Sequence, residues 1–254
     1  MMTFDQNLDS RSSPPRKSRV TAFLMGLAAG ILLTIFVPRL LHLRAAVLQS
    51  ACADNMKHIL LALHSYHDQY GTFPPAFTVD AEGKKLQSWR VLILPQLGKE
   101  ELYRQIRLDE PWDSDHNKQF QTQMPEFFCC PADKSKLNRN ETSYVWLTGP
   151  GLVSDGTSCT KITDIADGTS NTLMLIETLN PICWMSPEDT TMEQCWTDHL
   201  SGVAPNSTKG ISSNHRVIAN LGFVDGLVSP MNHYDFYTID RIATIADGET
   251  ICSP

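Results

Sequence analysis

Residues 20–37, VTAFLMGLAAGILLTIFV, contain no charged side chain. Eighteen helical residues at 1.5 Å each span about 27 Å, close to the hydrocarbon thickness of a bilayer. This run constrains the chain more than any other feature, because an uncharged helix of that length needs either lipid or a large core around it. Arg11, Arg16, Lys17 and Arg19 precede it, and Arg39 and Arg44 follow it. A basic N-terminal flank places the N-terminus in the cytoplasm and everything after the span outside. A cleaved signal peptide is not expected: its apolar stretch is usually about 7–15 residues. The nearest Ala-x-Ala, Ala51–Cys52–Ala53, lies far beyond Val37, and a lipoprotein site at Cys52 would want an aliphatic residue where Gln49 stands. A buried core helix would carry polar breaks, and this run has none. Inside the span Ala22, Gly26, Gly30 and Thr34 recur every four residues, a spacing that lets helices approach closely, although Gly and Ala are common in membrane helices anyway.

Charge is unevenly distributed. Residues 1–44 hold six Lys/Arg against two acids, whereas residues 45–254 hold 15 against 26, within a net charge of -7. A body that acidic repels phosphate backbones, so nucleic acid is not an expected partner. Hydrophobic residues at 42% exclude a disordered chain.

After Pro38 an apolar stripe runs through Leu48, Cys52, Met56, Ile59, Leu63, Tyr66 and Tyr70, in steps of three and four. That spacing predicts an amphipathic helix of about 30 residues. Gly71 ends it, and Pro74–Pro75 prevent its restart. Beyond Pro74 helical spacing returns only around Trp89–Leu97 and Glu100–Ile106. Tyr144–Leu147, Thr172–Glu177, Val217–Val224 and Ile239–Ile245 read as strands, with Asp-Gly pairs at Asp155, Asp167, Asp225 and Asp247 near their ends. Asp-Gly supplies the positive φ of tight hairpin turns. Residues 180–210, rich in Pro, Ser and Thr, read as a long loop. The expected organisation is a cytoplasmic basic tail (1–19), a transmembrane anchor (20–38), an amphipathic helix (39–71) and an extracytoplasmic β-rich body (72–254). The fold class is α+β, with the long helix packed on a mostly antiparallel sheet, which is the outline of a type IV pilin or pseudopilin.

Several blocks carry a resemblance. The run Cys52–Ala76 resembles the opening of a large prepilin-like family of unknown function that is abundant in planctomycete bacteria. Trp89–Leu97, Leu108–Lys118, the FFCCP ending at Pro131, and Asp167–Glu177 resemble its later blocks, in order. Its C-terminal signature is His, nine residues, then Asp-Gly, matched here by His215 with Asp225 and Gly226. The resemblance implies a membrane-anchored extracytoplasmic structural or assembly protein, with other pilin-like subunits or copies of itself as partners. Two departures stand out. No acid occurs between Asp9 and Asp54, so prepilin-type cleavage and N-methylation are not expected. His215 is followed by Arg216–Val217–Ile218 rather than by glycines.

Chemistry is sparse. HExxH, GxSxG, Walker A and GxGxxG are all absent, no cofactor is implied, no catalytic residue is assigned, and an enzyme is not the expectation. His64, His67 and Asp68 share one helix face at metal-ligand spacing, but a solvated face explains them as well. Asp113, Asp115 and Asn117 alternate as in a calcium loop, yet Lys118 and Met124 occupy the positions that need Gly and Glu. A looser cation site from Asp109, Glu110, Asp113 and Asp115 competes with simple side-chain bonding to turn backbone. The alternative functions are therefore a tethered binding module for a cation, glycan or partner protein and, further off, a tethered hydrolase using His215 and Asp225. Seven cysteines, an odd number, suit an oxidising compartment. Cys52 lies on the apolar stripe and so points at whatever the helix packs on. In the family-like blocks it occurs together with the CysPro segment, which implies a disulfide from Cys52 to Cys129 or Cys130. The competing pairings keep Cys129 and Cys130 with Cys159, Cys183 or Cys195.

Overall fold

The computed structural model describes residues 16–132, 140–191, 193–194, 218–232 and 243–245. The chain divides into two compact units, one up to Ala46 and one from Val47 onward.

Helix α1 runs from Arg16 to Tyr70. In the first unit its large apolar residues from Leu24 to Leu43 are all exposed, Met25 and Phe36 by about 70%. The segment is long and apolar enough to cross a membrane. Pro38 sits inside the helix, where it leaves the carbonyl of Thr34 without its usual amide donor.

In the second unit the remainder of α1 is amphipathic. Cys52, Met56, Ile59 and Leu63 are completely buried, as the stripe predicts, and Leu60 and Ala62 widen it. Leu61 faces solvent, and so does Tyr70, at 55% exposed, so the stripe ends a turn earlier than its spacing suggests. Gly71 closes the helix at φ +78° while its N–H bonds to the carbonyl of His67 at 2.7 Å.

The body opens with a hairpin, β1 (Phe77–Val79) and β2 (Lys85–Ser88). Its turn lacks an Asp-Gly pair; Asp80 Oδ1 accepts from the N–H groups of Glu82 and Lys84 instead. Two short helices follow, α2 (Trp89–Leu92) and α3 (Glu100–Gln105). The main sheet contains β3 (Glu141–Thr148), β4 (Leu173–Cys183), β5 (Thr190–Thr191), β6 (Ile218–Phe223) and β7 (Val228–Asn232), in the order β5-β3-β4-β6-β7. All pairings are antiparallel except β3 with β5. Pro230 is tolerated because β7 is an edge strand. The fold is α+β, with a long N-terminal apolar helix and an antiparallel sheet body.

Alternation on β3 separates two cores. Tyr144 and Trp146 join the cluster that holds Cys52, Met56, Ile59, Leu60 and Leu63 of α1, whereas Val145 and Leu147 join a second cluster with Leu173, Ile176 and Leu221. The β4–β6 register shifts between Leu173 and Leu175, and there two consecutive residues, Met174 and Leu175, join the helix-side cluster. Gly222 on β6 permits the close contact of helix and sheet: a Cβ there would lie 3.1 Å from both Leu60 Cδ1 and Leu175 Cβ.

Of residues 180–189, expected as loop from their composition, 180–183 belong to β4, whereas 184–189 are turn and irregular backbone with 184–187 buried. β4 continues to Cys183, Trp184 and Met185 are completely buried, and the Asp189 side chain is 2% exposed. Two aromatic and aliphatic anchors fix a segment whose average composition is polar. The strand expected at 239–245 is described only from Ala243, where Thr244 bridges to Leu152.

Candidate functional site

A buried charge pair organises the body, and the sequence reading did not single it out. Arg90 lies on α2 inside the otherwise apolar run Trp89–Leu94 and is fully buried. Its Nη1 donates to Ser88 Oγ at 2.9 Å, and Nε and Nη2 both donate to the carbonyl of Tyr144 at 3.2 Å. Nη2 also pairs with Asp189. Asp189 accepts from Trp89 Nε1 at 3.0 Å and from the N–H of Trp146 at 2.8 Å. The guanidinium stacks on the Trp89 ring, 4.7 Å from its centroid. Burial lowers the Arg90 pKa and raises that of Asp189, and each partner opposes the other's shift. The arrangement ties α2, β3 and the 184–189 segment together. Its donors are directed at its own acceptors, which makes it a structural node. A lone Arg inside an apolar run was the available signal, since such a charge needs a buried acid.

The second polar cluster lies where α1 meets the body. Cys52 and Cys130 form a disulfide with Cα atoms 5.4 Å apart. Of the two pairings implied for Cys52, the structure selects Cys130, which is completely buried, over the half-buried Cys129. Cys159 and Cys183 carry free thiols, and burial raises the pKa of Cys183. Cys195 lies outside the described residues. Glu177 on β4, 1% exposed, places an oxygen within 4.8 Å of both disulfide sulfurs. Its Oε2 accepts from the backbone and side-chain amides of Asn220 at 3.1 and 3.2 Å. Beside them the Tyr144 hydroxyl donates to the Cys52 carbonyl at 3.3 Å. Burial, and then the Glu177 charge, push its pKa well up. Asn55 Nδ2 donates to the Cys129 carbonyl at 3.0 Å.

The helix histidines do not form a solvated face. His64 Nε2 bonds to the Val224 carbonyl at 2.6 Å and its ring stands edge-on to Phe73. His67 Nε2 accepts the N–H of Ile162 at 3.3 Å. Asp68 is exposed. The two imidazoles attach α1 to the body; they do not converge on one point with Asp68.

The acidic block at 108–118 is built around Asn117. That buried side chain donates to the carbonyls of Arg107, Glu110 and Pro111 and accepts the N–H of Arg107. Gln87 donates to the carbonyls of Arg107 and Glu110 from the other side. The Glu110 carboxylate takes bonds from Arg107 at 2.7 Å and Ser114 at 2.8 Å, which hold its pKa below the ordinary carboxylate range. Hydrogen bonding to turn backbone therefore accounts for Asn117.

Of the signature residues, His215 lies outside the described residues. Asp225 and Gly226 form the β6–β7 turn: Gly226 has φ +88°, and Asp225 Oδ1 accepts the N–H of Leu227 at 2.8 Å. A cavity of about 400 Å³ beside α3 is lined by Lys99, Glu101, Gln105, Gln123, Met124 and Glu126 among others, with no histidine, serine or cysteine.

Residues 42–233 match the family described as a protein of unknown function, DUF1559. The chain belongs to that family. No curated protein and no solved structure matches it. For this DUF1559 protein the match covers the lower half of α1, the disulfide, the Arg90–Asp189 node and the β6–β7 hairpin. It begins at residue 42, after the uncharged run 20–37.

Proposed function

We propose that this chain is a single-pass, membrane-anchored, extracytoplasmic structural or assembly protein of pseudopilin-like architecture. One observation carries the reading: α1 exposes every described large apolar side chain from Leu24 to Leu43, whereas from Cys52 onward its apolar stripe lies inside the body's core. The part of this exposed stretch within the uncharged run 20–37 is stable in lipid and costly in water. The basic residues before the span support an N-terminus on the cytoplasmic side of the inner membrane and a body outside. The disulfide supports the same side, because such bonds persist in oxidising compartments. The prepilin-like blocks, including the His215 to Asp225–Gly226 signature, support the architecture. The proposed partners are lipid and other helices of the same kind, met through the face that carries Gly26 and Gly30. The protein's work is then packing and display rather than turnover. A tethered cation-binding module is disfavoured, because Glu110 and Asn117 are already engaged with neighbouring groups.

Membrane fractionation of cells producing the full chain tests the anchor and its association. The chain should resist alkaline carbonate, require detergent for release, and give discrete multimers when crosslinked within the membrane. Release by carbonate, or a monomer under all crosslinking conditions, contradicts the reading.

A further inference from the structure

The disulfide has an unusual neighbour. Cys52 and Cys130 are completely buried and Glu177 is 1% exposed, yet the two sulfurs and a Glu177 oxygen lie within 4.8 Å of one another. A disulfide offers no proton to a carboxylate, and a buried carboxylate is costly unless other groups compensate it. Asn220 supplies two donors to Oε2, which holds the carboxylate in place on the sulfur side of β4. The three groups come from three elements, α1, the segment before residue 133, and β4. Two thiolates and one carboxylate are a donor set for zinc. With Zn–S near 2.3 Å and Zn–O near 2.1 Å, tetrahedral ligand atoms stand about 3.5–3.8 Å apart. The three ligand atoms already lie within 4.8 Å of one another, close to that spacing.

We propose that Cys52, Cys130 and Glu177 form a zinc-type metal site in the reduced chain, so that the attachment of helix to body exists in two chemical forms. In the oxidised form it is the disulfide. Two reductant thiols, which also give up their two protons, or one phosphine with one water, which supplies the oxide oxygen and two protons, deliver two electrons, and the S–S bond becomes two thiols. The reductant becomes its disulfide or its phosphine oxide. The metal then displaces both thiol protons to solvent as two metal–sulfur bonds form, Glu177 supplies the third bond, and water takes the fourth position. Two thiols beside the Glu177 carboxylate carry -1, and a dication that displaces both thiol protons leaves -1, so metal uptake adds no net charge to the buried cluster. Because both sulfurs are buried, reduction and metal uptake pass through opening of the helix, and metal binding is coupled to folding. The metal form would hold the same three elements before oxidation is complete.

The test uses the full chain in detergent, unfolded in guanidinium with a phosphine reductant and refolded with zinc, with cobalt, or with a chelator. The reduced protein should refold with one zinc per chain, and Cys52 and Cys130 should be protected from alkylation. The cobalt form should show a thiolate-to-cobalt charge-transfer band. The oxidised protein should show neither the band nor the stoichiometric zinc. Glu177→Gln, checked first for the wild-type near-ultraviolet circular dichroism in its oxidised form, should bind zinc at least about tenfold more weakly when reduced, the floor for loss of even an indirect partner of a metal. Cys52→Ser should lose the site. The proposal is overturned by a reduced chain that refolds without taking up metal, or by a chain that refolds on oxidation but not with zinc. It is equally overturned if Cys52→Ser or Glu177→Gln binds zinc as tightly as the wild type.

Discussion

Arg90 shows how one side chain can hold a fold together without performing chemistry. Its guanidinium replaces bulk water with Ser88, the Tyr144 carbonyl and Asp189. Replacing such a pair by apolar groups is often tolerated, but removing one partner strands the other. Arg90→Met should therefore cost about 3–5 kcal/mol in urea unfolding of the detergent-solubilised chain, and Asp189→Leu added to it should recover much of the loss. The sign of the pH dependence follows from Asp189, whose pKa burial already raises. Without Arg90 the folded value rises further above its unfolded value near 3.9. A raised folded pKa favours the fold below the unfolded pKa, and that contribution is lost as pH rises through the folded one. The deficit of Arg90→Met should therefore be smallest near pH 4 and grow toward neutrality. A deficit that is constant with pH contradicts a folded-state Asp189 pKa raised further by loss of Arg90. The pair was invisible in sequence because its members stand 99 positions apart. Arg90 alone was conspicuous, as a charge in an apolar run, but nothing marked Asp189 among the acids of a polar-looking stretch.

At the scale of the element, α1 was the most legible part of the chain. Its stripe repeats every three or four residues, and Gly71 ends it where the spacing requires. What the stripe could not reveal is that its polar flank also faces the body, through His64 and His67. Leu63→Asp should destabilise the body by at least about 3 kcal/mol, because it trades a packed side chain for a buried unpaired charge. His64→Ala, neutral if that face were solvated, should cost about 1 kcal/mol through the lost bond to Val224. Gly222→Ala should cost about 1–3 kcal/mol by pushing Leu60 off the sheet. Urea unfolding ranks the three, and an unchanged midpoint for Leu63→Asp would place the stripe against something other than this body. The strands were less legible. β3, β4 and β6 announce themselves by apolar runs, whereas β1–β2 turns on Asp80 without an Asp-Gly pair and β7 contains Pro230.

For the whole molecule, the long crosslink matters most. Cys52 and Cys130 are 78 residues apart, and closing a loop of that size stabilises a chain by roughly 4–5 kcal/mol in the chain-entropy view. Non-reducing peptide mapping should yield one Cys52–Cys130 linked pair, with Cys159 and Cys183 alkylated before reduction; a Cys52 peptide alkylated without reductant contradicts the structure. The family resemblance implied Cys129 or Cys130 as the partner of Cys52, with pairings inside the body as rivals, and the structure joins Cys52 to Cys130. The membrane account rests on composition on one side and exposure on the other, since residues 20–37 are uncharged and the described large apolar side chains from Leu24 to Leu43 are exposed. Its most direct test uses Cys159, an exposed free thiol on the body. Intact spheroplasts are treated with a membrane-impermeant maleimide, and the modified peptide is identified by mass spectrometry. The account predicts labelling of Cys159 before lysis, to the extent seen in detergent. A Cys159 that is labelled only after lysis would place the body on the cytoplasmic side and contradict it.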